Sequence, residues 1–316
     1  MSIDKLKEII NKVLSDAGTV ITWEQGFDKL HATPLYIKDT KDIERVIWNP
    51  LCAQNLASYL PFLKKKAAVV VKGCDSRTIV QYMQEGLIDR NNVIIIGIPC
   101  TGVVSVKKVL KAVDQQPVED VKFTNGNIIV KTPKGEKTLA IADVCPDKCK
   151  TCQYPTPIVY DYLVGDPIKP TKPAESVYDD VKEFETKSLE ERKAYFAKEF
   201  DKCIRCYACR NACPMCVCQD SCIAETRDPH WITQKLSSEE KMMFHMIHAV
   251  HLAGRCVECG ECERVCPMDI PVAKLKKKIN SVMKELFDYT PGVNPEEKPP
   301  MYTFNVDEAK IKEHKL

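Results

Sequence analysis

Eight cysteines in two short runs carry the clearest chemistry in this chain. Each run has the spacing C-x2-C-x2-C-x3-C, and a proline directly follows its last cysteine, Pro214 in the first run and Pro267 in the second. Thiolates at these intervals are the ligand pattern of a pair of [4Fe–4S] clusters. The runs consist of Cys203, Cys206, Cys209 and Cys213, and of Cys256, Cys259, Cys262 and Cys266. The spacing therefore predicts a region that carries electrons.

The last cysteine of each run is predicted to bind the cluster of the other run. Three cysteines in a tight loop cover one side of an iron–sulfur cube, and the next cysteine lies beyond a turn and points away, as in two-cluster ferredoxins. The predicted ligands are Cys203, Cys206, Cys209 and Cys266 for cluster one, and Cys256, Cys259, Cys262 and Cys213 for cluster two. Because this ligation ties distant parts of the chain together, loss of iron is expected to unfold the region.

Disulfides and zinc are the competing uses of so many cysteines. The chain has 17 cysteines, and its N-terminal segment is amphipathic rather than a secretory signal. Disulfides are typical of secreted proteins, so reduced thiolates bound to metal are favoured here. Structural zinc sites use two cysteine pairs or mixed cysteine and histidine sets, whereas three cysteines in C-x2-C-x2-C with a separate fourth are typical of an iron–sulfur cluster.

A third set of cysteines, in the N-terminal half, lacks one ligand. Cys145, Cys149 and Cys152 have the spacing C-x3-C-x2-C. Cys74 and Cys100 each follow a predicted strand, and either one would complete the set, with Cys100 preferred. The alternative is that both are buried apolar residues, as free cysteines often are. We interpret the set as a third [4Fe–4S] cluster.

The remaining cysteines and a group of histidines lie outside these three sets. Two uses stay open for the cysteines that follow the first run: ligands of a further cluster, or thiols that pack against cluster sulfurs and respond to oxidation. These residues are Cys216, Cys218 and Cys222. Cys52 is predicted to be a packing residue. Three histidines on one predicted helix are expected to pack or to form hydrogen bonds rather than to bind metal: His245, His248 and His251.

The N-terminal half has the pattern of an α/β domain. Residues 67–71 and 93–98 are continuous apolar runs rich in β-branched residues, as expected of buried strands, and a helical pattern follows each of them. This order predicts a mostly parallel sheet with right-handed crossovers. An Asn-Gly pair at 125–126 predicts an additional antiparallel hairpin. Cys74 and Cys100 then lie at the carboxyl ends of parallel strands, where open α/β sheets bind ligands.

Four segments are predicted along the chain. They are an α/β iron–sulfur domain (1–165), a Pro-rich linker (166–187), a ferredoxin domain with two [4Fe–4S] clusters (188–290) and a tail (291–316). Ser188 and Glu191 form a capping box that begins a helix. A further amphipathic helix, over residues 238–253, separates the two cysteine runs. Long helices here favour an α-helical ferredoxin-like dicluster domain over a compact bacterial ferredoxin.

Composition and charge exclude several classes of protein. Hydrophobic residues make up 44% of the 316 residues, which is enough for packed cores. A net charge of +2 leaves no basic excess for nucleic acid. No apolar run approaches the roughly 20 residues that span a bilayer. The chain is therefore expected to be cytoplasmic. It has no GxGxxG fingerprint, Walker loop or nucleophile–base pair, so no catalytic residue is assigned.

Two parts of the sequence resemble a known family. KGCDSRTIVQYMQEGLI, VIIIGIPCTGV and the pattern C-P-x2-C-x2-C-x3-TP resemble iron–sulfur proteins related to the beta subunit of coenzyme F420 hydrogenase and formate dehydrogenase. CIRCYACRNACPMCVC and FHMIHAVHLAGRCVECGECERVCPMDIP resemble the dicluster half of the same group. The resemblance covers about residues 66–164 and 200–290.

The resemblance implies an electron-transfer subunit of a soluble, anaerobic, multi-subunit oxidoreductase. Such a complex would be linked to heterodisulfide reductase, formate dehydrogenase or hydrogenase. The chain would relay single electrons between a flavin or catalytic subunit and another iron–sulfur partner or ferredoxin. F420-reducing subunits of the family carry their ferredoxin part before the α/β domain and end in a flavin-binding domain. Here the cluster domain comes last, which argues against FAD.

Two alternatives to the electron-transfer subunit remain. One is an enzyme that uses flavin or F420 at its own two-electron site near Cys74 and Cys100, where the turns at Gly73 and Gly102 would hold phosphate or ring. It predicts flavin in the isolated chain. The other is an iron–sulfur redox sensor that uses the extra cysteines of the dicluster region. It predicts partner binding that changes with oxidation.

Overall fold

The computed structural model describes residues 2–218, 222–225 and 232–303. The strands, in chain order, are β1 (Val20–Gln25), β2 (Ala32–Ile37), β3 (Ala67–Val71), β4 (Val93–Gly97), β5 (Asp120–Thr124), β6 (Asn127–Thr132), β7 (Gly135–Ala140) and β8 (Tyr162–Leu163). The helices are α1 (Ile3–Ala17), α2 (Gly73–Gln84), α3 (Val106–Ala112), α4 (Ile141–Val144), α5 (Asp147–Lys150), α6 (Asp179–Glu185), α7 (Leu189–Asp201), α8 (Ala208–Asn211), α9 (Ser238–Val250), α10 (Glu261–Arg264) and α11 (Val272–Phe287).

A mixed, mostly parallel sheet forms the core of the N-terminal part. Its strand order is β2-β1-β3-β4-β8, with β1 antiparallel to β2 and the other neighbours parallel. All five residues of β3, which lies in the middle, are buried. α1 contacts β1, β3 and β4 through a face that includes Leu6, Ile10 and Val13. A strand buried along its whole length is typical of a parallel sheet covered by helices.

A second sheet follows the main one in the chain. β5, β6 and β7 form an antiparallel meander, and the predicted Asn-Gly turn joins β5 to β6. Ile128 and Val130 of β6 are buried in a small core with Val109 of α3. The meander leads directly into α4 and α5; of the third set, Cys145 lies between these helices, Cys149 in α5 and Cys152 just after it.

The C-terminal part is helical. α7 begins with the predicted capping box, since the Ser188 hydroxyl accepts from the Glu191 N–H at 3.2 Å and the Glu191 carboxylate accepts from the Ser188 N–H at 2.8 Å. α9 packs against α7 and α11, and Phe200 and Phe244 are fully enclosed between them. α6 lies within the segment predicted as a linker, where Phe184 packs edge-on against Tyr195.

Helix α2 joins the sheet to the helical part. It begins directly after β3, because the Asp75 carboxylate accepts from the Lys72 N–H at 3.0 Å and caps the first turn. Further along the helix, the Tyr82 hydroxyl donates to the Pro214 carbonyl oxygen at 2.9 Å. α2 therefore extends from the edge of the sheet to the first cysteine run.

The end of α2 also contacts the second cysteine run. Glu85, directly after the helix, forms a two-bond ion pair with Arg255, at 2.8 and 2.5 Å. Arg255 immediately precedes Cys256. Residues of the predicted tail pack on the same helix, since the Arg77 guanidinium donates to the Pro291 carbonyl oxygen at 2.8 Å. Residues 304–316 of that tail lie outside the described residues.

The predicted fold class is confirmed: an α/β N-terminal part precedes a helical dicluster part. The sequence analysis missed strand β2, which lies at the edge of the sheet and contains Pro34. A proline lacks the N–H of a ladder, so it lowers the strand signal but is accepted at a sheet edge. Among the described residues, no helix is long and apolar enough to cross a membrane.

Candidate iron–sulfur centres

A cavity of about 630 Å³ opens at the carboxyl ends of β3 and β4. Four cysteines lie on its wall: Cys74, Cys100, Cys149 and Cys152. Cys74 is in the first turn of α2 and Cys100 follows β4, which is the strand edge where the sequence predicted them. The other two come from α5 and the loop after it. Four thiols around one cavity are a complete ligand number for a [4Fe–4S] cluster.

Gly73 allows the loop after α5 to reach the strand edge. A Cβ atom at position 73 would lie 2.7 Å from the carbonyl carbon of Tyr154, and the carbonyl oxygen is closer still. A residue with a side chain does not fit against this backbone. The Cys100 N–H donates to the Pro155 carbonyl oxygen at 2.8 Å, which fixes the same loop from the second strand. These two contacts hold Cys152 over the sheet edge.

Cys145 does not lie on the cavity wall with the other four cysteines. It is buried, and its thiol donates to the carbonyl oxygen of Ala142 at 3.2 Å. Pro146 separates it from α5. The structure therefore brings together two cysteines of the C-x3-C-x2-C set with both strand-end cysteines. This differs from the predicted set, which used Cys145 and one of the two strand-end residues.

Three of the four cavity thiols favour their protonated form. Burial raises the pKa of Cys74 well above its ordinary value, that of Cys100 to about 11, and that of Cys152 as well. The Lys148 ammonium opposes this shift at Cys74. Without metal these thiols are therefore neutral near pH 7. Iron binding has to displace their protons, so assembly at this cavity releases acid.

The two cysteine loops of the helical part share one backbone conformation. Arg205 and Tyr207 in the first loop have φ of 51° and 59°, and Glu258 and Gly260 in the second have 56° and 71°. These are the second and fourth positions after the first cysteine of each run. The Arg205 N–H donates to the Cys203 sulfur at 3.3 Å, and the second loop has the matching bond. Such N–H···S bonds help to set cluster potentials.

Cys266 of the second run lies beside the first run. With Cys203 and Cys209 it belongs to the apolar core around Phe244. Burial raises the pKa of Cys203, and the charges of Cys266 and Cys206 raise it further. Cys206 is exposed, whereas the other three thiols are buried. The predicted site of cluster one therefore reaches the molecular surface at one ligand.

Cys213 of the first run lies beside the second run. Burial raises the pKa of Cys256 (to about 12), Cys259 and Cys262, and the charge of Cys213 raises each of them further. Cys213 and Cys266 are thus in the positions that an exchange of fourth ligands requires. Crossed ligation stays the prediction for both clusters.

Two lysines that the sequence analysis missed face these cysteines; Lys276 is fully buried and Lys148 partly buried. Lys276 is 2% exposed, and the Lys148 ammonium donates to the carbonyl oxygen of Cys259. Burial opposes their charge, yet nearby thiols raise the pKa of both lysines: Cys74 and Cys149 for Lys148, and Cys262, Cys213 and Cys256 for Lys276. Nothing in the sequence identified these lysines, since neither belongs to a recognisable motif. Only the folded structure places them beside the cysteines.

The lysines test whether the sites fit iron–sulfur clusters. In the part of the chain that the structure describes, neither Lys148 nor Lys276 forms an ion pair with a carboxylate. A buried cation without an opposite charge is strongly destabilising. A [4Fe–4S] cluster held by four thiolates carries net negative charge, and all-sulfur ligand sets suit iron. The donor sets and the buried cations therefore both fit such clusters.

Cys216 belongs to a compact group next to cluster two. The ligand atoms of Cys213, Cys216 and His248 lie within 4.8 Å of one another. The Cys216 sulfur is 3.3 Å from Nε2 of His248, and both residues are largely enclosed. Cys216 and His248 therefore place a thiol and a ring nitrogen beside the predicted ligand Cys213. Cys218 is exposed and Cys222 is partly buried, and residues 219–221 between them lie outside the described residues.

The packing roles expected of Cys52 and His245 are confirmed. Cys52 is fully buried in the core of the main sheet. His245 is 2% exposed and stacks on Phe200 with ring centroids 4.2 Å apart. Burial lowers the pKa of His245 to about 3, so its ring is neutral at physiological pH.

Comparison with known proteins identifies two segments. Residues 64–177 match the family formed by the C terminus of the coenzyme F420 hydrogenase/dehydrogenase beta subunit, and residues 199–270 match the 4Fe-4S dicluster domain. The two matches fall in the two parts of the chain where the sequence resembles these proteins, which confirms the resemblance.

Two curated relatives align over most of their length. The F420-dependent formate dehydrogenase subunit beta of Methanocaldococcus jannaschii is 25% identical, over 95% of this chain and 93% of that protein. The F420-dependent formate dehydrogenase 1 subunit beta of Methanococcus maripaludis is 27% identical, over 91% and 90%. A chain from a xenon-derivatised F420-reducing [NiFe] hydrogenase complex of Methanosarcina barkeri matches with a TM-score of 0.37 and 18% identity, over 47% of this chain and 58% of that chain.

Domain order does not distinguish this chain from the two formate dehydrogenase subunits. We expected F420-reducing relatives to carry their ferredoxin part before the α/β domain. In this chain the cluster domain comes last, and that difference in order was the argument against FAD. Both alignments instead run in register along nine-tenths or more of each chain. The order of the α/β and dicluster parts is therefore shared, and it gives no argument against FAD.

Proposed function

We propose that this chain is an electron-transfer iron–sulfur subunit of a multi-subunit oxidoreductase, and that it relays single electrons through three [4Fe–4S] clusters. Each cluster supplies one-electron transfer, while the chain's residues fix its position, burial and electrostatic surroundings. The dicluster family match and the names of the two aligned beta subunits support this role.

The continuity of the three cysteine sets carries the proposal. Lys148 lies on the wall of the N-terminal cavity and also donates to the carbonyl oxygen of Cys259, in the second cysteine loop. Cys262 of that loop shares an apolar core with Cys209 of the first loop. Cys206 then lies at the surface. Electrons would pass from the cavity through cluster two and cluster one to the exposed end, or in reverse.

The two ends of this series suggest two kinds of partner. The cavity end would face a flavoprotein or a catalytic hydrogenase or dehydrogenase subunit, because the cavity is open and large enough to admit another group. The Cys206 end would face a second iron–sulfur protein, either a heterodisulfide-reductase-like subunit or ferredoxin. An exposed ligand permits close approach of a partner cluster.

Iron and acid-labile sulfide per chain, measured with flavin content, test the number of clusters. We expect about twelve irons in the intact chain and about eight in Cys149→Ser. Cys145→Ser is the matched control, since that thiol lies off the cavity wall, and it should keep about twelve. An intact chain with about eight irons would refute the third cluster. A loss of iron in Cys145→Ser equal to that in Cys149→Ser would refute the ligand set of the cavity.

A second candidate is a flavin- or F420-dependent oxidoreductase with its own two-electron site near Cys74 and Cys100. The cavity volume favours it, since about 630 Å³ falls within the usual range for cofactor pockets. Arg77, Lys169 and Lys284 on the wall offer positive charge to a phosphate. This candidate requires flavin in the isolated chain, or dye reduction by a two-electron donor without other subunits. If neither is observed after iron reconstitution, the electron-transfer role stands alone.

A further inference from the structure

Lys148 extends from one cysteine set to another. It is part of α5, beside Cys149, and its side chain lies on the wall of the N-terminal cavity. The ammonium donates to the carbonyl oxygen of Cys259 in the loop of the second run. The stem passes directly over Gly260, where a Cβ atom would lie 2.7 Å from Cδ of Lys148. Because residue 260 has no side chain, the stem of Lys148 can pack directly against its backbone.

Lys276 has a different position. It belongs to α11, is 2% exposed, and its ammonium is 3.4 Å from Nε2 of His248. It does not lie on the wall of the N-terminal cavity. Its nearby thiols all belong to the dicluster part: Cys262, Cys213, Cys256 and Cys216 around cluster two, and Cys209 of cluster one. Lys276 therefore lies within the dicluster part, whereas Lys148 lies between that part and the N-terminal cavity.

No carboxylate among the described residues neutralises either ammonium by an ion pair. Glu261 is an acidic group that raises the pKa of Lys148, and its carboxylate is bound by Arg264 at 2.7 Å. The positive charge of Lys148 is thus directed at the thiols on both of its sides. In an enclosed site, a fixed charge acts over several ångströms with little screening.

We propose that Lys148 is a shared cation that raises the reduction potentials of both the N-terminal cluster and cluster two, whereas Lys276 acts within the dicluster part and not on the N-terminal cluster. This inference rests on the proposed function. Reduction adds one electron from the donor to a cluster and no proton, because both lysines are already protonated. A nearby positive charge stabilises the added electron, so removing it makes reduction harder. Lys148 thereby keeps two neighbouring relays close in potential.

Redox titration of the reconstituted full chain, followed by electron paramagnetic resonance, tests this inference. Lys148→Met is expected to lower the potentials of two clusters, each by about a tenfold change in the equilibrium constant, or about 59 mV for one electron. Lys276→Met should lower the potential of cluster two and leave that of the N-terminal cluster unchanged. The Cys149→Ser chain identifies the signal of the N-terminal cluster by its absence. In that background, Lys148→Met should still lower the potential of cluster two.

Lys150→Met is the matched control, since Lys150 lies two residues away, is exposed and pairs with Asp147 at 3.0 Å. It should leave all potentials unchanged. The inference is overturned if Lys148→Met shifts one cluster only, or no more than Lys150→Met does. If Lys148→Met fails to bind iron, Lys148→Arg should restore it, and equal loss in both variants overturns a role of charge. Iron content reports on the proposed function separately, because clusters can be present without the expected shifts.

Discussion

Gly73→Ala is the most direct perturbation of the N-terminal cavity. The new methyl group would lie 2.7 Å from the carbonyl carbon of Tyr154, whereas carbon atoms in contact are normally about 3.5–4.0 Å apart. Because the carbonyl oxygen of Tyr154 would be closer still, the loop that carries Cys152 must move by more than about 1 Å. Metal ligands tolerate only about ±0.2 Å around their preferred distances. The displacement is thus several times larger than a four-cysteine site accepts.

The expected result is selective loss of one cluster. Gly73→Ala should retain about eight irons of about twelve, together with the spectrum of the dicluster part. Crowding of this kind costs typically 1–3 kcal/mol, so the chain should remain folded. Gly86→Ala is the control: Gly86 lies just beyond the same helix, has φ of +66° and nothing within 4 Å of its added methyl group. Its strain of about 1 kcal/mol should leave the iron content unchanged.

Iron and sulfide analysis with circular dichroism separates the outcomes. A folded Gly73→Ala chain that keeps about twelve irons and an unchanged spectrum would show that the approach of residue 154 does not position Cys152. Equal iron loss in Gly86→Ala would show that the effect is general destabilisation rather than displacement of a ligand. In either case the steric explanation of the cavity would be wrong.

Three further predictions concern the contacts around the clusters. Glu85→Gln and Arg255→Met should each destabilise the protein by about 1.5–3 kcal/mol in denaturant unfolding, and the double variant by clearly less than their sum; additive effects would contradict a coupled, partly buried pair. Tyr82→Phe should cost about 1–3 kcal/mol by leaving the Pro214 carbonyl without its partner, whereas the exposed Tyr302→Phe should cost nothing measurable. The pKa of His245 is lowered to about 3 by burial, so the unfolded state binds a proton first and stability falls as pH drops from about 6.5 towards 3; His245→Phe should slow iron loss at pH 5 relative to pH 7.5, and an unchanged ratio would contradict this.

Local patterns in the sequence were sufficient to predict the two cysteine runs as cluster loops and to locate the parallel strands. The spacing around Cys203 and Cys256 fixes two similar loops, because each needs left-handed residues at the same two positions. The buried strands β3 and β4 were visible as apolar runs, so the edge that carries Cys74 and Cys100 was predictable. Helix α2 begins at Gly73, two residues after β3, and the Asp75 carboxylate caps its first turn.

Long-range contacts decided what the sequence could not. The spacing of the third set favoured Cys145 as a ligand, but whether a thiol faces the cavity depends on the turn at Pro146 and on the approach of Tyr154 to Gly73. Lys148 and Lys276 could not be predicted either, because lysine is common on surfaces. Only the fold shows that Lys276 is buried and that Lys148 reaches the second cysteine loop. The sequence therefore predicted that cysteines carry the chemistry. It predicted less well which of these cysteines lie at the same site.

Helix α2 gives the electron relay a fixed geometry. Cys74 lies in its first turn, Tyr82 contacts Pro214 beside the first cysteine run, and Glu85 binds the residue before Cys256. Twelve residues of α-helix are about 18 Å long and stiff on the scale of these contacts. Since electron transfer weakens steeply with distance, the separation of the cavity from the dicluster part has to be constant. It is set by this helix and its buried partners, and not by the chain between the two parts.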